Sequence, residues 1–356
     1  MMTKSFDKHK KRTKSLRRIA FKTFKILFPF LLGGGILYWM YRGFPFAKIS
    51  DVMLHQMHWK WMIISFIPGI LAQIFRGLRW KQTLEPLGEH PRIKTCIHAI
   101  FLSYAASLVI PRIGEFLRCG VLARRDRTSF PKALGTVVTE RAVDTLLMLL
   151  LVVSVFLMQI HVFINFFAKT GVSLDRILSN FSQAGIFVTI LCIVCIVVLI
   201  YLLFRKLAFM RKVKNVMHGM AEGILSLKKI QNIPLYLIYS AGIWVAYFFH
   251  YYLTFFCFDF TQNLGVMAGL VSFCVGTIAV IVPTPNGAGP WHFAVKTILV
   301  IYGLAASQAV IYALIVHSVQ TLLLVVLGIY ALVASSFSTR AVKLTAEKVM
   351  NINKQS

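Results

Sequence analysis

Nothing limits the fold of this chain as strongly as the length of its uninterrupted apolar runs. Between Phe187 and Phe204 only Thr189 breaks the apolar series. A helix needs roughly 20 mainly apolar residues to cross about 30 Å of hydrocarbon, and within lipid its backbone polar groups must bond to one another. Stretches of this kind lie near residues 25–42, 60–78, 142–160, 184–204, 233–257 and 308–336. With 58% apolar residues and a mean hydropathy of +0.72, the bulk of the chain is expected in lipid rather than water. The fold class expected is all-α, a polytopic helical membrane protein.

A net charge of +27 would suggest nucleic acid in a soluble protein. Here the basic residues crowd into short loops beside the apolar runs, which the positive-inside rule and anionic lipid headgroups explain, so no nucleic-acid partner is expected. Residues 1–24 read as a basic cytoplasmic tail, with Lys4, Lys8, Lys10, Lys11, Arg12, Lys14, Arg17, Arg18 and Lys22 against Asp7. The apolar segment after Lys25 carries Tyr38, Trp39, Tyr41 and Arg42 where a cleavable leader would have small residues, so it reads as an uncleaved anchor.

Charge also decides how two further apolar segments, 95–110 and 264–303, are placed. A full crossing at 95–110 would put Arg112, Arg118, Arg124, Arg125, Arg127 and Lys132 outside, against the charge rule. A segment that dips in and turns back keeps both flanking basic loops inside, and such backbone is tolerated where protein or a watery cavity surrounds it. In 264–303, Pro283, Pro285 and Pro290 interrupt any continuous helix because proline lacks an N–H donor. The expectation is about six full spans plus two re-entrant helical hairpins, inverted relative to each other, with eight plain spans as the alternative. Both termini then lie in the cytoplasm, and the body runs from 25 to 336 with a second basic tail at 337–356.

The residues with chemical potential cluster at these turns. Charges joined to an apolar hairpin, in Pro111-Arg112-Ile113-Gly114-Glu115 and Arg118, must pair, reach the interface or face a cavity. Arg112 and Arg118 suit a phosphate, with Glu115 balancing the charge; an interfacial loop whose arginines fix topology reads the same residues equally well. Glu140, Arg141 and Asp144 open the next span, where Arg141 and Asp144 are close enough to pair. The two acids share a face that calls for a cation, and Arg112 or Arg118 is available. A snorkelling helix end is the plainer alternative. Arg76 and Arg79 beside Trp80 fit an interfacial anchor as well as a site. Gly287 and Gly289 permit close backbone approach, and the helix opened by Pro290, Trp291 and His292 offers free N–H groups to an anion. His250 and His317 read as packed histidines. Cys192 and Cys195 lack two further ligands for zinc, so no metal site is expected. No catalytic motif or cofactor-binding fingerprint is present in the sequence.

Taken in order, Pro111-Arg112-Ile113-Gly114-Glu115 with Arg118, Glu140-Arg141 with Asp144, and Pro283-Thr284-Pro285-Asn286-Gly287-Ala288-Gly289 resemble the flippase-like membrane domain of the lysylphosphatidylglycerol synthase, or multiple peptide resistance factor, family. The resemblance covers residues 25–336. It implies a lipid-handling protein of the bacterial cytoplasmic membrane, a translocase for an anionic or aminoacylated phospholipid or a polyprenyl lipid. The synthase members carry an additional soluble catalytic domain for which this sequence has no counterpart, so amino-acid transfer is not expected of it. The substrate-binding residues expected from the charges and turns are Arg112, Glu115, Arg118, Glu140, Arg141, Asp144, Gly287, Gly289 and His292. The competing class is a membrane enzyme or accessory acting in glycosyl transfer to polyprenyl-phosphate lipids. The partners implied are membrane lipids and envelope-lipid enzymes, with a homo-oligomer left open. Two positions depart from the family pattern: many relatives carry Asn near Ser107 and an acid where this chain has His292.

Overall fold

The computed structural model describes residues 30–40, 42, 47–160, 226 and 230–352, with side chains in the last helix as far as Ser335. The span expected at 184–204, the basic segment 1–24 and the pair Cys192 and Cys195 lie outside these residues. Among the described residues all regular structure is helical. In chain order the helices are α1 (Phe30–Met40), α2 (Ala47–Asp51), α3 (Trp59–Leu84), α4 (Ile93–Val109), α5 (Ile113–Arg125), α6 (Phe130–Met158), α7 (Ile233–Tyr252), α8 (Gly265–Ala279), α9 (Pro290–Ile301) and α10 (Ala306–Ile352). Four stretches among the described residues are long and apolar enough to cross a membrane: Trp59–Leu87, Phe130–Met158, Ile233–Cys257 and Ala306–Ser335. The chain is therefore an all-α, polytopic helical membrane protein.

Two boundaries differ from the sequence reading. Helix α3 runs on to Leu84 instead of stopping near residue 78, so Arg76 and Arg79 lie inside it rather than at its end. Helix α6 begins at Phe130 instead of near residue 142. Glu140, Arg141 and Asp144 are thus interior residues of a long helix, not a snorkelling terminus. The last spanning stretch, Ala306–Ser335, agrees with the expected 308–336, and its helix continues to Ile352. At α3 and α6 polar residues were read as bounding a span, but a helix ends only where its backbone bonding stops, not where its side chains become polar.

The chain divides into two compact units, one formed by the residues up to Ile70, His98–Arg118 and Tyr247 onward, the other by Leu71–Ile97 and Cys119–Ala246. The first has an aromatic core in which Tyr312 meets Phe255 edge-on at 5.5 Å and Tyr251 at 6.3 Å. Buried tyrosine hydroxyls need partners, and they have them: Tyr312 Oη lies 2.6 Å from Thr254 Oγ1, and Tyr251 Oη donates to Ser272 Oγ at 3.0 Å. Pro68 lies inside α3 in this unit. Beside it Gly69 leaves room for the His250 ring, whose Nδ1 donates to Ser65 O at 2.7 Å; a Cβ on Gly69 would sit 2.8 Å from that nitrogen. In the second unit the buried Trp80 indole donates to Thr136 Oγ1 at 2.9 Å, fastening α3 to α6.

Candidate functional site

Four charged side chains of the second unit are held out of contact with solvent. Arg79 and Glu140 are 0% exposed, and Arg76 and Asp144 only 4% and 6%. From α3, Arg79 reaches α6 with Nη2 2.7 Å from Asp144 Oδ1 and Nε 3.7 Å from Glu140 Oε1. Its Nη1 donates to Ser240 Oγ on α7 at 3.3 Å, and its guanidinium lies 5.8 Å from the centre of the Tyr236 ring. One turn earlier, Arg76 Nη2 takes the other Asp144 oxygen at 3.0 Å. A planar guanidinium suits this arrangement because its fixed fork addresses several acceptors at once.

Sequence reading placed a cation beside Glu140 and Asp144 and named Arg112 or Arg118 as available. The structure supplies Arg76 and Arg79 instead. Their signal was present, since residues three apart share a helix face, but an arginine pair next to a tryptophan looks the same when it anchors a helix at the interface. Arg141 lies half-buried on α6.

In the first unit, α4 and α5 meet through the turn Ile110–Arg112. Gly114 permits the reversal: a Cβ there would fall 1.9 Å from Ser103 O. Ser107 donates from Oγ to the same Ser103 carbonyl at 2.9 Å. Arg112 is exposed and holds a φ of 64°, a backbone region that side-chain-bearing residues seldom occupy. Val109, Ile110, Ile113, Phe116 and Leu117 around it are exposed apolar residues, Glu115 is half-buried in the first turn of α5, and Arg118 is 1% exposed. At the other ends of the two helices, in the second unit, Arg92 donates from its backbone N and from Nε to the Asp126 carboxylate at 2.9 and 2.8 Å.

The second hairpin, also in the first unit, breaks where the prolines require. α8 ends at Ala279, α9 starts at Pro290, and Asn286, Gly287 and Gly289 between them have φ of 51°, 72° and 93°. Gly33 of α1 lies so close that a Cβ on Gly289 would sit 2.9 Å from Gly33 O. Gly289 and His292 come together directly, the Gly289 N–H donating to His292 Nδ1 at 3.3 Å. Both residues are buried. Among the described residues no group of three or more His, Cys, Asp or Glu side chains is placed to hold a metal ion.

Apolar spanning helices, a solvent-excluded arginine–acid cluster and helical hairpins interrupted at charged or glycine-rich turns define a polytopic membrane protein with ionisable groups inside its bundle. The lysylphosphatidylglycerol synthase TM region family matches residues 26–328, and the chain belongs to that family. No curated protein and no solved structure matches the chain.

Proposed function

We propose that this chain is a lipid translocase that receives an anionic headgroup at the turn between α4 and α5. The observation that carries the reading is Arg112, an exposed guanidinium at φ 64° ringed by exposed apolar side chains. Exposed Val109, Ile113 and Phe116 suit acyl chains, and a guanidinium among them suits a phosphate joined to those chains. An arginine kept where glycine would sit more easily is strain of the kind that gathers at binding sites.

The hairpin is proposed to be re-entrant. α4 has 17 residues, a length of about 25 Å, short of a comfortable crossing. The Arg92–Asp126 bonds join the entrance of α4 to the exit of α5, as expected if both helices start and finish at one face of the membrane. In this reading Glu115 sits beside the phosphate, Arg118 balances charge within the same hairpin, and Gly287, Gly289 and His292 form the second turn of the first unit. The body of 25–336 sits in the bacterial cytoplasmic membrane with both ends in the cytoplasm.

The test is lipid movement in liposomes containing the purified protein, followed with a fluorescent phosphatidylglycerol or its aminoacylated form. Arg112→Gly removes the guanidinium while favouring the backbone angle. Loss of a charge-assisted bond worth about 1.5 kcal/mol slows translocation roughly tenfold. An unchanged rate in a folded variant would remove Arg112 from the site.

A further inference from the structure

Three histidines of the first unit each have one ring nitrogen assigned by a backbone group. A backbone N–H can only donate, so His292 Nδ1, 3.3 Å from Gly289 N, is bare and the neutral ring carries its proton on Nε2. A carbonyl can only accept, so His317 Nε2, 3.0 Å from Asn286 O, bears a hydrogen and leaves Nδ1 bare in the neutral ring. His250 donates from Nδ1 to Ser65 O. The rings of His292 and His317 are 4.4 Å apart between centres.

These assignments make the two neighbouring rings unequal as proton acceptors. A proton added to His292 Nδ1 must displace the Gly289 N–H at the start of α9. One added to His317 Nδ1 leaves the bond to Asn286 O in place and makes it charge-assisted. The Trp291 ring, 5.1 Å from His317 between centres, is within the roughly 6 Å over which an aromatic face attracts a cation.

His317 is also coupled to the break between α8 and α9. One turn further along α10, Thr321 Oγ1 accepts from Asn286 Nδ2 at 2.7 Å, so α10 holds both the backbone and the side chain of Asn286, whose φ is 51°. Among the described residues, the groups in contact with His317 bring no opposite charge. α9 contributes His292 and carries Lys296 further along. From α7, His250 and Tyr251 connect through Gln320 and Trp291. α8 contains no charged residue or histidine, and no carboxylate is among the described contacts of His317.

We propose that His317 is a proton-binding site, with His292 kept neutral as the helix cap, and that proton uptake there tightens the hold of α10 on Asn286 and couples lipid movement to a proton. The coupling rests on the translocase reading; the proton site stands apart from it. Two measurements on the full chain separate them. In lipid nanodiscs, nitrogen-15 NMR of labelled histidines is followed from about pH 8 to 4, with His317→Gln and His292→Gln for assignment. His317 Nδ1 gains a proton across that range while His292 Nδ1 stays bare; a His317 that never titrates, or a His292 that titrates first, overturns the site. In liposomes enclosing a pH-sensitive dye, fluorescent phosphatidylglycerol movement is accompanied by proton movement. That proton signal is lost in His317→Gln, whose amide still donates to Asn286 O. Lipid movement without protons in the wild type overturns the coupling alone. No lipid movement in the wild type overturns the translocase reading and the coupling with it, and leaves the proton site to be decided by the NMR titration.

Discussion

Arg79 shows how one side chain holds three helices of the second unit. It bonds Asp144 and Ser240, approaches Glu140 and lies over Tyr236, all without exposure to solvent. Breaking a buried ion pair leaves an uncompensated charge behind, which costs about 3–5 kcal/mol. Arg79→Met is therefore expected to lower unfolding stability in detergent micelles by about that amount. Adding Glu140→Gln, which neutralises the acid left behind, should recover part of the loss. An equal loss in the double variant would show that packing, and not charge, is what Arg79 provides. The pair Arg76 and Arg79 was visible in the sequence as a one-face spacing, but its depth was not. Whether an arginine snorkels or is enclosed depends on what stands opposite, and the acids opposite come from residues more than sixty positions away.

The hairpins depend on a few close approaches. Gly114 faces Ser103 O so tightly that a methyl group forces α4 and α5 apart, whereas a Cβ on Gly120 of the same helix meets nothing within 4 Å. Gly114→Ala should then destabilise the protein by about 1–3 kcal/mol, and Gly120→Ala should be neutral or stabilising by up to about 1 kcal/mol from helix propensity. Unfolding in micelles compares the two, and equal effects would place the close contact in doubt. The break between α8 and α9 was readable because Pro283, Pro285 and Pro290 remove donors whatever surrounds them. The start of α6 was not. Glu140, Arg141 and Asp144 were read as opening the span, and it is the arginines of α3 that make the two acids tolerable inside it.

The arrangement of the chain across the membrane can be tested by labelling. The described cysteines, Cys96, Cys119, Cys257 and Cys274, are all buried. With all six natural cysteines replaced, single cysteines at the exposed positions Arg124 and Ser307 are expected to react from opposite sides, Arg124 from the cytoplasm. Labelling of both from the same side would overturn the proposed topology. The membrane assignment, the helical class and the places where helices must break were readable from residue order, because hydropathy over a span, loop charge and missing proline donors act locally. The pairing of Arg76 and Arg79 with Asp144, the fit of Gly114 to Ser103 and the bond between His317 and Asn286 were not. Each joins residues far apart in the chain or across a reversal of it, and such bonds and close contacts form only once the helices have packed.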